Sequence, residues 1–352
     1  MFLPPVVHLL PLTTIRRQRD LPVPGRITVH LNQRVRPRDI IAEADVSPRH
    51  IIIDVAKSIG VSTQDVSRHL TRDSGERIEK GDVIAERTGF ARRTVRAPYD
   101  GRVVAITDGK VLFEVRTEPF LLRAGIPGEV VHIQGMSSVT LETTGALIQG
   151  VWGNGRQDFG VMRLVGDGPR DRMLTDQLDV KLRGAVLVAG MCDHPAPLQH
   201  ASELSIRGLI LGGLAAELIP TARQLPYPIV VLEGFGPLQI NQPTFELLKT
   251  SHGREVALDG RPLDFYSNQR PEVIIPLPVV NPVDLPEELI ALEEGVRVRV
   301  TRAPNHGMIG VVQEILPQAV SYSNGILARS VLVDLDILGS TKVPLANLEI
   351  IQ

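Results

Sequence analysis

The 352-residue chain has little cysteine, few aromatic side chains and no long apolar run. Its single cysteine, Cys192, excludes an intrachain disulfide, so the cysteine content gives no reason to expect an oxidising compartment. No stretch is apolar over the length needed to span a bilayer. The apolar first residues lack a charged segment and contain Pro4, Pro5 and Pro11, which argues against a signal peptide. We therefore expect a cytoplasmic protein without a membrane span.

Catalytic signatures are also missing. Neither the phosphate-binding loop pattern nor the dinucleotide-binding glycine pattern occurs. Cys192 and His194 are close in sequence, but close neighbours rarely adopt the geometry of a nucleophile and its base, so we interpret them as part of a loop. We expect no cofactor and no metal, and the sequence favours a protein that is not an enzyme.

Charge is distributed unevenly along the chain. Residues 1–115 hold 19 Lys and Arg against 14 Asp and Glu, whereas residues 116–285 hold 14 against 18. Much of the early excess is arginine, including Arg92, Arg93 and Arg96. The pattern is typical of a solvated basic face, and the alternative is a surface for an acidic partner or a phosphate backbone.

Short apolar runs between glycine turns characterise residues 75–115. Asp100-Gly101 and Asp108-Gly109 are hairpin signals, and the runs around them alternate between apolar and polar residues. The segment GERIEKGDVIAE, residues 75–86, is partly repeated by NQRVRPRDIIAE, residues 32–43. We expect the two copies to form similar halves of one pseudo-twofold β-barrel.

Two elements, GD-x-IA at Gly81–Ala85 and AP-x-DG-x-V at Ala97–Val103, carry a family resemblance. Residues 24–115 resemble the barrel-sandwich hybrid family, whose members include biotinyl and lipoyl carrier domains. Those carriers hold a modified lysine at a hairpin tip. Lys110 lies in a different context, so the resemblance implies the fold without a covalently attached cofactor. Fold alone does not imply function.

Between the two copies, the sequence predicts a helical hairpin at residues 47–72. Ser47 and Pro48 are suited to a helix start, and Ile51, Ile52, Val55 and Ile59 recur at helical spacing. A DNA-binding helix-turn-helix is the alternative interpretation of this hairpin.

Strand and helix patterns alternate after residue 175, which favours a small α/β domain with parallel strands. In such domains ligands bind beyond the carboxyl ends of the strands. The candidate ligand-binding residues at these ends are Gly212, Gly213, Glu233, Gly234 and Gly236. Glu233 has no obvious acid–base partner in the sequence, so we expect it to make a structural hydrogen bond.

The last segment alternates at Val296, Val298 and Val300 and has turns at Gly307 and Gly310. Residues 294–351 resemble the KOW motif and its small barrel, which occurs in transcription elongation factors and ribosomal proteins. The segment is acidic, unlike the basic ribosomal versions, and this favours a protein partner. The candidate nucleic-acid or partner contacts are Arg92, Arg93, Arg96, Arg297, Arg299, Arg302 and His306.

These patterns together predict a multidomain, β-rich chain: a barrel-sandwich hybrid with an inserted helical hairpin, a small α/β domain and a C-terminal KOW-type barrel. The expected segments are a leader 1–23, the hybrid 24–120, a β-rich extension 121–175, the α/β domain 176–268, a Pro-rich linker 269–288 and the barrel 289–352. The first functional hypothesis is a binding or scaffold protein that docks protein partners. The alternatives are a nucleic-acid binder acting in transcription or translation, and an enzyme with a ligand site at the glycine loops. The sequence does not define the oligomeric state.

Overall fold

The computed structural model describes residues 3–46, 49–89, 92–264, 269–278, 283–335 and 338–352. Strands dominate over helices in these residues and form several sheets, which confirms the prediction of a β-rich chain. No helix among them has both the length and the apolar character needed to cross a membrane.

The secondary-structure elements follow one another without long breaks. The helices are α1 (Val55–Ile59), α2 (Pro195–Glu203), α3 (Ile219–Gln224) and α4 (Gln242–Thr250). The strands of the first 149 residues are β1 (Val6–Val7), β2 (Leu9–Asp20), β3 (Arg26–Ile27), β4 (Arg34–Val35), β5 (Ile40–Ala44), β6 (Arg49–Asp54), β7 (Arg77–Ile78), β8 (Val83–Arg87), β9 (Arg93–Arg96), β10 (Gly101–Thr107), β11 (Lys110–Val115), β12 (Phe120–Arg123), β13 (Gly128–Gln134) and β14 (Ser138–Gln149). The later strands are β15 (Trp152–Gly153), β16 (Gln157–Leu164), β17 (Ala185–Cys192), β18 (Gly208–Leu214), β19 (Ile229–Phe235), β20 (Glu255–Asp259), β21 (Glu272–Pro276), β22 (Arg297–Val300), β23 (Ile309–Ile315), β24 (Val320–Ser321), β25 (Leu327–Ala328), β26 (Ser330–Leu335), β27 (Gly339–Pro344) and β28 (Leu348–Ile351).

Two β modules of the same strand order make up the N-terminal part. In the inserted module, residues 49–115, the strands β6, β11, β10 and β7 form one sheet and β8 pairs with β9. In the outer module the equivalent order is β2, β14, β13 and β4, with β5 paired to β12. The inserted module enters the outer one between β5 and β12.

The two copies of the sequence repeat occupy equivalent positions in these modules. Val35 of β4 pairs with Gly128, and Ile78 of β7 pairs with Gly101. The following turns also match, because Ala124 N donates to Asp39 O (3.0 Å) just as Ala97 N donates to Asp82 O (2.9 Å). The expectation that the copies form two halves of one barrel is therefore wrong. Each copy is completed by its own hairpin, β10–β11 or β13–β14, and has its own apolar core.

The predicted helical hairpin at 47–72 is largely wrong. Arg49–Asp54 is the strand β6, and only α1 and a single 3₁₀ turn at Val66–His69 are helical. Three consecutive isoleucines suit a strand better than a helix, since β-branched side chains pack well on a pleated surface. Asp54 caps α1 by accepting from Lys57 N. The predicted helix start at Ser47 and Pro48 lies outside the described residues.

A mixed sheet with helices on both faces forms the middle of the molecule. The strands β16, β17, β18 and β19 are parallel and lie side by side, as the alternating pattern predicts. Leu198 of α2 and Ala222 of α3 pack on one face, and Phe245 and Leu248 of α4 pack on the other. The short continuous apolar runs at 185–189 and 208–214 are buried because both faces of these strands are covered.

This sheet does not end at the expected domain boundaries. It continues through β20 and β21 to β14 and β13, so the segments 121–175 and 176–268 share one sheet. The expected linker at 269–288 contains β21, whose first four residues are buried between β14 and β20. Proline content was misleading there, because Glu272–Pro276 has a proline only at its last position.

The C-terminal strands form a six-stranded sheet in the order β1, β28, β22, β23, β26 and β27. Alternating valines, among them Val298, Val300, Val331 and Val333, fill its core. The N-terminal strand β1 joins this sheet in parallel with β28, while β2 runs along β14. Residues 6–20 thus connect the C-terminal sheet to the outer module.

Candidate functional site

A cleft lies where the inserted module meets the outer module. It encloses about 850 Å³. Glu43 and Asp45 at the end of β5 line one side, and Arg116, Thr117 and Pro119, in the segment that leads back to the outer module, line another. The charged side chains of the cleft are Glu43, Asp45, Arg77, Glu79, Asp82, Asp100, Arg102, Glu114 and Arg116.

Short strands and tight turns position these charges. Arg77 lies on the edge strand β7, and Asp82 holds the next turn by accepting from Glu79 N (3.2 Å). Asp100 accepts from Lys80 N at 2.7 Å and ties this turn to the start of β10. The backbone of the cleft is therefore held by hydrogen bonds, while several of its side chains point to solvent.

Part of the charge in the cleft is already paired. Arg102 lies 3.2 Å from Glu114, and Glu43 lies 2.8 Å from Arg26. Asp45 and Glu79 are exposed and have no ion-pair partner among the described residues. Asp82 is also paired, with Arg72 at 3.3 Å. Six carboxylates and three arginines line the cleft, and Arg26 and Arg72 neutralise two of these carboxylates from outside the lining, so a small acidic excess remains. An arrangement of this kind can bind a cationic group.

A second cluster of charges is buried where the C-terminal sheet packs on the mixed sheet. Arg299 of β22 is 4% exposed. Its Nη1 lies 2.8 Å from Glu233 Oε2, and its Nε donates to Glu349 Oε1 at 2.6 Å. Glu233 also accepts from the backbone N (3.1 Å) and Nδ2 (2.6 Å) of Asn241, the residue that caps α4. One guanidinium thus joins the end of β19, the start of α4 and the last strand.

The carboxylates in this cluster hold the guanidinium of Arg299 in its charged form. Burial alone would lower the pKa of Arg299, but the carboxylates of Glu349 and Glu233 outweigh burial and raise the pKa above its ordinary value. Arg270 lies 3.4 Å from Glu349, and burial lowers its pKa despite this pairing. The cluster is structural, because its charges are enclosed and form ion pairs with one another.

His8 lies beside this cluster, between β1 and β2. It is buried, and its Nδ1 has no hydrogen-bond partner. Burial lowers the pKa of His8 to about 4, although a hydrogen bond with the side chain of Gln352 opposes the shift. A cavity of about 10 Å³, bordered by Gln149, Glu233 and Arg299, adjoins the ring and is large enough for about one water molecule.

The predicted ligand site at the glycine loops is filled by the chain itself. A Cβ on Gly212 would lie 2.6 Å from Ile240 N, and one on Gly213 would lie 2.5 Å from Gly236 O. These glycines are needed for close packing of the backbone at 236–240 over the strand ends. Glu233 makes the structural bonds expected of it. The backbone at 236–240 therefore fills the space beside Gly212 and Gly213, and neither position borders an open ligand site.

The structure does not unite the predicted nucleic-acid contacts. Arg92, Arg93 and Arg96 are exposed on and beside β9, in the inserted module, and Arg297 and Arg302 are exposed in the C-terminal sheet. Arg299 was wrongly assigned, because its buried ion pairs make it inaccessible to a phosphate backbone. His306 is half-buried against the glycine loop, where its Cε1 would lie 3.3 Å from a Cβ on Gly234.

Cys192 also has a structural environment. Its side chain is buried, and its Sγ donates to the carbonyl oxygen of His194 at 3.3 Å. Burial raises the pKa of this thiol to about 11, so the reactive thiolate is scarce near neutral pH. Sequence reasoning missed the charged cleft, because its residues come from segments far apart in the chain.

Comparison with known proteins adds no assignment. A scan against protein-family models finds no match. A search of curated proteins finds no sequence that matches at a significant level.

Arg299→Ala should lower the free energy of unfolding by about 3–5 kcal/mol, because it leaves Glu233 and Glu349 buried beside each other without their common cation. The matched control is Arg297→Ala, which removes an exposed arginine two residues away on the same strand and should cost under about 0.5 kcal/mol. Urea unfolding measures both. Equal losses in the two variants would contradict the role of the buried pair.

His8→Gln should flatten the acid side of the stability profile. The unfolded chain takes up a proton near pH 6.5, whereas the folded state resists it until about pH 4. The free energy of unfolding of the wild type therefore falls by up to about 3 kcal/mol, through His8, as the pH falls from about 6.5 to about 4. Above pH 6.5 His8 does not change the free energy of unfolding. Urea unfolding across this pH range tests the difference. Parallel profiles for the wild type and the variant would show that His8 does not contribute.

Proposed function

We propose that the protein is a non-enzymatic docking protein that holds a positively charged segment of a partner protein in the cleft. The observation that carries the proposal is a cleft of about 850 Å³ with carboxylates that are free to bind a cation: Glu43, Asp82 and Glu114 are paired with arginines, whereas Asp45, Glu79 and Asp100 have no ion pair among the described residues. Asp45 and Glu79 are exposed there without ion-pair partners among the described residues, so they are available to lysine or arginine side chains of a partner.

The binding surface is preorganised. Hydrogen bonds to Asp82 and Asp100 hold the turns that line the cleft, so little backbone order has to be gained on binding. Complementary charge mainly increases specificity and the rate of encounter. The resemblance of this region to barrel-sandwich hybrid domains supports the proposal, since that family includes adaptor domains as well as carriers.

Nucleic-acid binding is the second candidate, and the hairpin β8–β9 favours it. Arg87 lies directly opposite Arg93 in this hairpin, a like-charge pair that is unfavourable unless an anion or a polar group lies nearby. Arg87 Nη1 donates to the carbonyl oxygens of Ile59 (3.2 Å) and Gly60 (2.9 Å), which compensates part of this charge. Arg96 Nη1 likewise donates a hydrogen bond to the carbonyl oxygen of Gly81. These intramolecular bonds make the hairpin the weaker candidate.

Peptide binding measured by fluorescence anisotropy tests the proposal. A labelled lysine-rich peptide should bind the full chain, and its glutamate-rich counterpart should not. Asp45→Lys combined with Glu79→Lys should weaken binding by about tenfold or more, because two attractive contacts become repulsive. Affinity should also fall with rising salt.

The matched control is Asp176→Lys combined with Glu217→Lys, which changes the net charge equally at exposed positions outside the cleft. This control should bind like the wild type. Equal weakening in both double variants would show non-specific attraction and contradict the cleft as the site. Tight binding of single-stranded DNA that is lost on Arg93→Glu would favour the second candidate instead.

A further inference from the structure

The strand β6 has an unpaired edge. Within the described residues it pairs with β11 on one side and with no strand on the other. The equivalent strand of the outer module, β2, is covered on part of its length by residues 283–284, since Thr14 N donates to Asp284 O at 3.1 Å. Ile52 at the centre of β6 is 70% exposed. An exposed apolar edge strand of this kind can pair with another chain.

The alternation of backbone hydrogen bonds along β11 shows which peptide groups of β6 face the open edge. Arg116 N donates to Asp100 O (2.8 Å), so even-numbered residues of β11 bond to β10 and odd-numbered ones bond to β6. Phe113 therefore bonds to Ile51. The peptide groups of His50 and Ile52 point away from β11, towards the open edge. A partner strand would pair through these two residues.

We propose that this edge pairs with β6 of a second copy of the chain in an antiparallel, twofold-symmetric arrangement. Opposite residues of an antiparallel pair have their side chains on the same face of the sheet, and side chains alternate between the two faces along a strand. When a dyad perpendicular to the sheet relates the two copies, the two residue numbers of each pair therefore have an even sum. With Ile52 on the dyad, Ile52 lies opposite Ile52 of the second copy and His50 lies opposite Asp54 of the second copy.

Charge complementarity selects this register. On the exposed face of β11 and β6, Glu114 lies beside His50 and Lys110 lies beside Asp54. In the dimer each outer row therefore reads Glu114, His50, then Asp54 and Lys110 of the second copy, so the imidazole of His50 lies between two carboxylates and Asp54 lies beside a lysine. The central row is apolar, with Leu112 and Ile52 from each copy. Moving the dyad to Ile51 would place His50 opposite Ile52 and lose this match.

The expected dimer is weak, because a six-residue strand buries less surface than a stable interface usually needs. A dissociation constant on the order of micromolar or weaker follows. Dimerisation would join the two inserted modules and present two clefts in one particle. It rests on the edge strand and not on the charge of the cleft, so each proposal can fail without the other.

Disulfide trapping of the full chain is the most specific test. Ile52→Cys places two thiols opposite each other at the dyad, where the Cα atoms of a hydrogen-bonded antiparallel pair lie about 5.5 Å apart, within disulfide range. The native Cys192 is buried, so the new thiol is the reactive one. Mild oxidation should give a covalent dimer in high yield. The control Val180→Cys, 74% exposed elsewhere, should give little.

Sedimentation velocity over a concentration series completes the test. The wild type should shift from monomer towards dimer as concentration rises, and Ile52→Lys should stay monomeric, because two lysines would meet at the dyad. A wild type that stays monomeric throughout would overturn the proposal. A dimer that persists unchanged in Ile52→Lys would also overturn it, as would equal cross-linking of the two cysteine variants.

Discussion

The buried ion pairs of Arg299 hold the fold together. Three parts of the chain that are distant in sequence meet at this guanidinium. The strand β22 supplies it, and the carboxylates of Glu233 at the end of β19 and Glu349 in β28 neutralise its charge. Enclosing a charge is unfavourable unless its partners come with it. The C-terminal sheet therefore has one favourable position against the mixed sheet, and β1 and β2 connect that arrangement to the outer module.

The cleft depends on this arrangement only indirectly. The long strand β14 belongs to both the outer module and the mixed sheet, so the body that carries the cleft is continuous with the buried junction. The inserted module brings a second set of the same strands, and its turn at Glu79–Asp82 faces the end of β5. The two similar modules together thus form a charged concave surface that a single module would not have.

Local sequence patterns correctly predicted the structural features that depend on local hydrophobic periodicity. The apolar runs at 185–189 and 208–214 indicated buried parallel strands, and alternation at Val298 and Val300 indicated one buried face. Arg297 and Arg299 lie on the same face of the same strand and look alike in sequence, yet only Arg299 is buried. What differs is the packing of a distant sheet, which spacing does not reveal.

The repeat shows the same limit of local reasoning. The sequence shows the two copies of the repeat. It shows that each copy is completed by its own hairpin, β10–β11 or β13–β14, only when Ala124 and Gly128 are recognised as equivalent to Ala97 and Gly101. Ile51 and Ile52 were assigned to a helix from their spacing, although their β-branching favours a strand. Their partner strand β11 lies about 60 residues further along the chain, so no local pattern indicates it. Pairing with the distant strand β11 determines that residues 49–54 form a strand.

Native-state hydrogen exchange is the most direct measurement of the central claim. If the buried pairs of Arg299 join the C-terminal sheet and the mixed sheet into one cooperative unit, backbone amides of β22 and of β18 should exchange with the same free energy of opening, close to that of global unfolding. Exchange of the β22 amides at a clearly lower free energy, while those of β18 stay protected, would contradict the account.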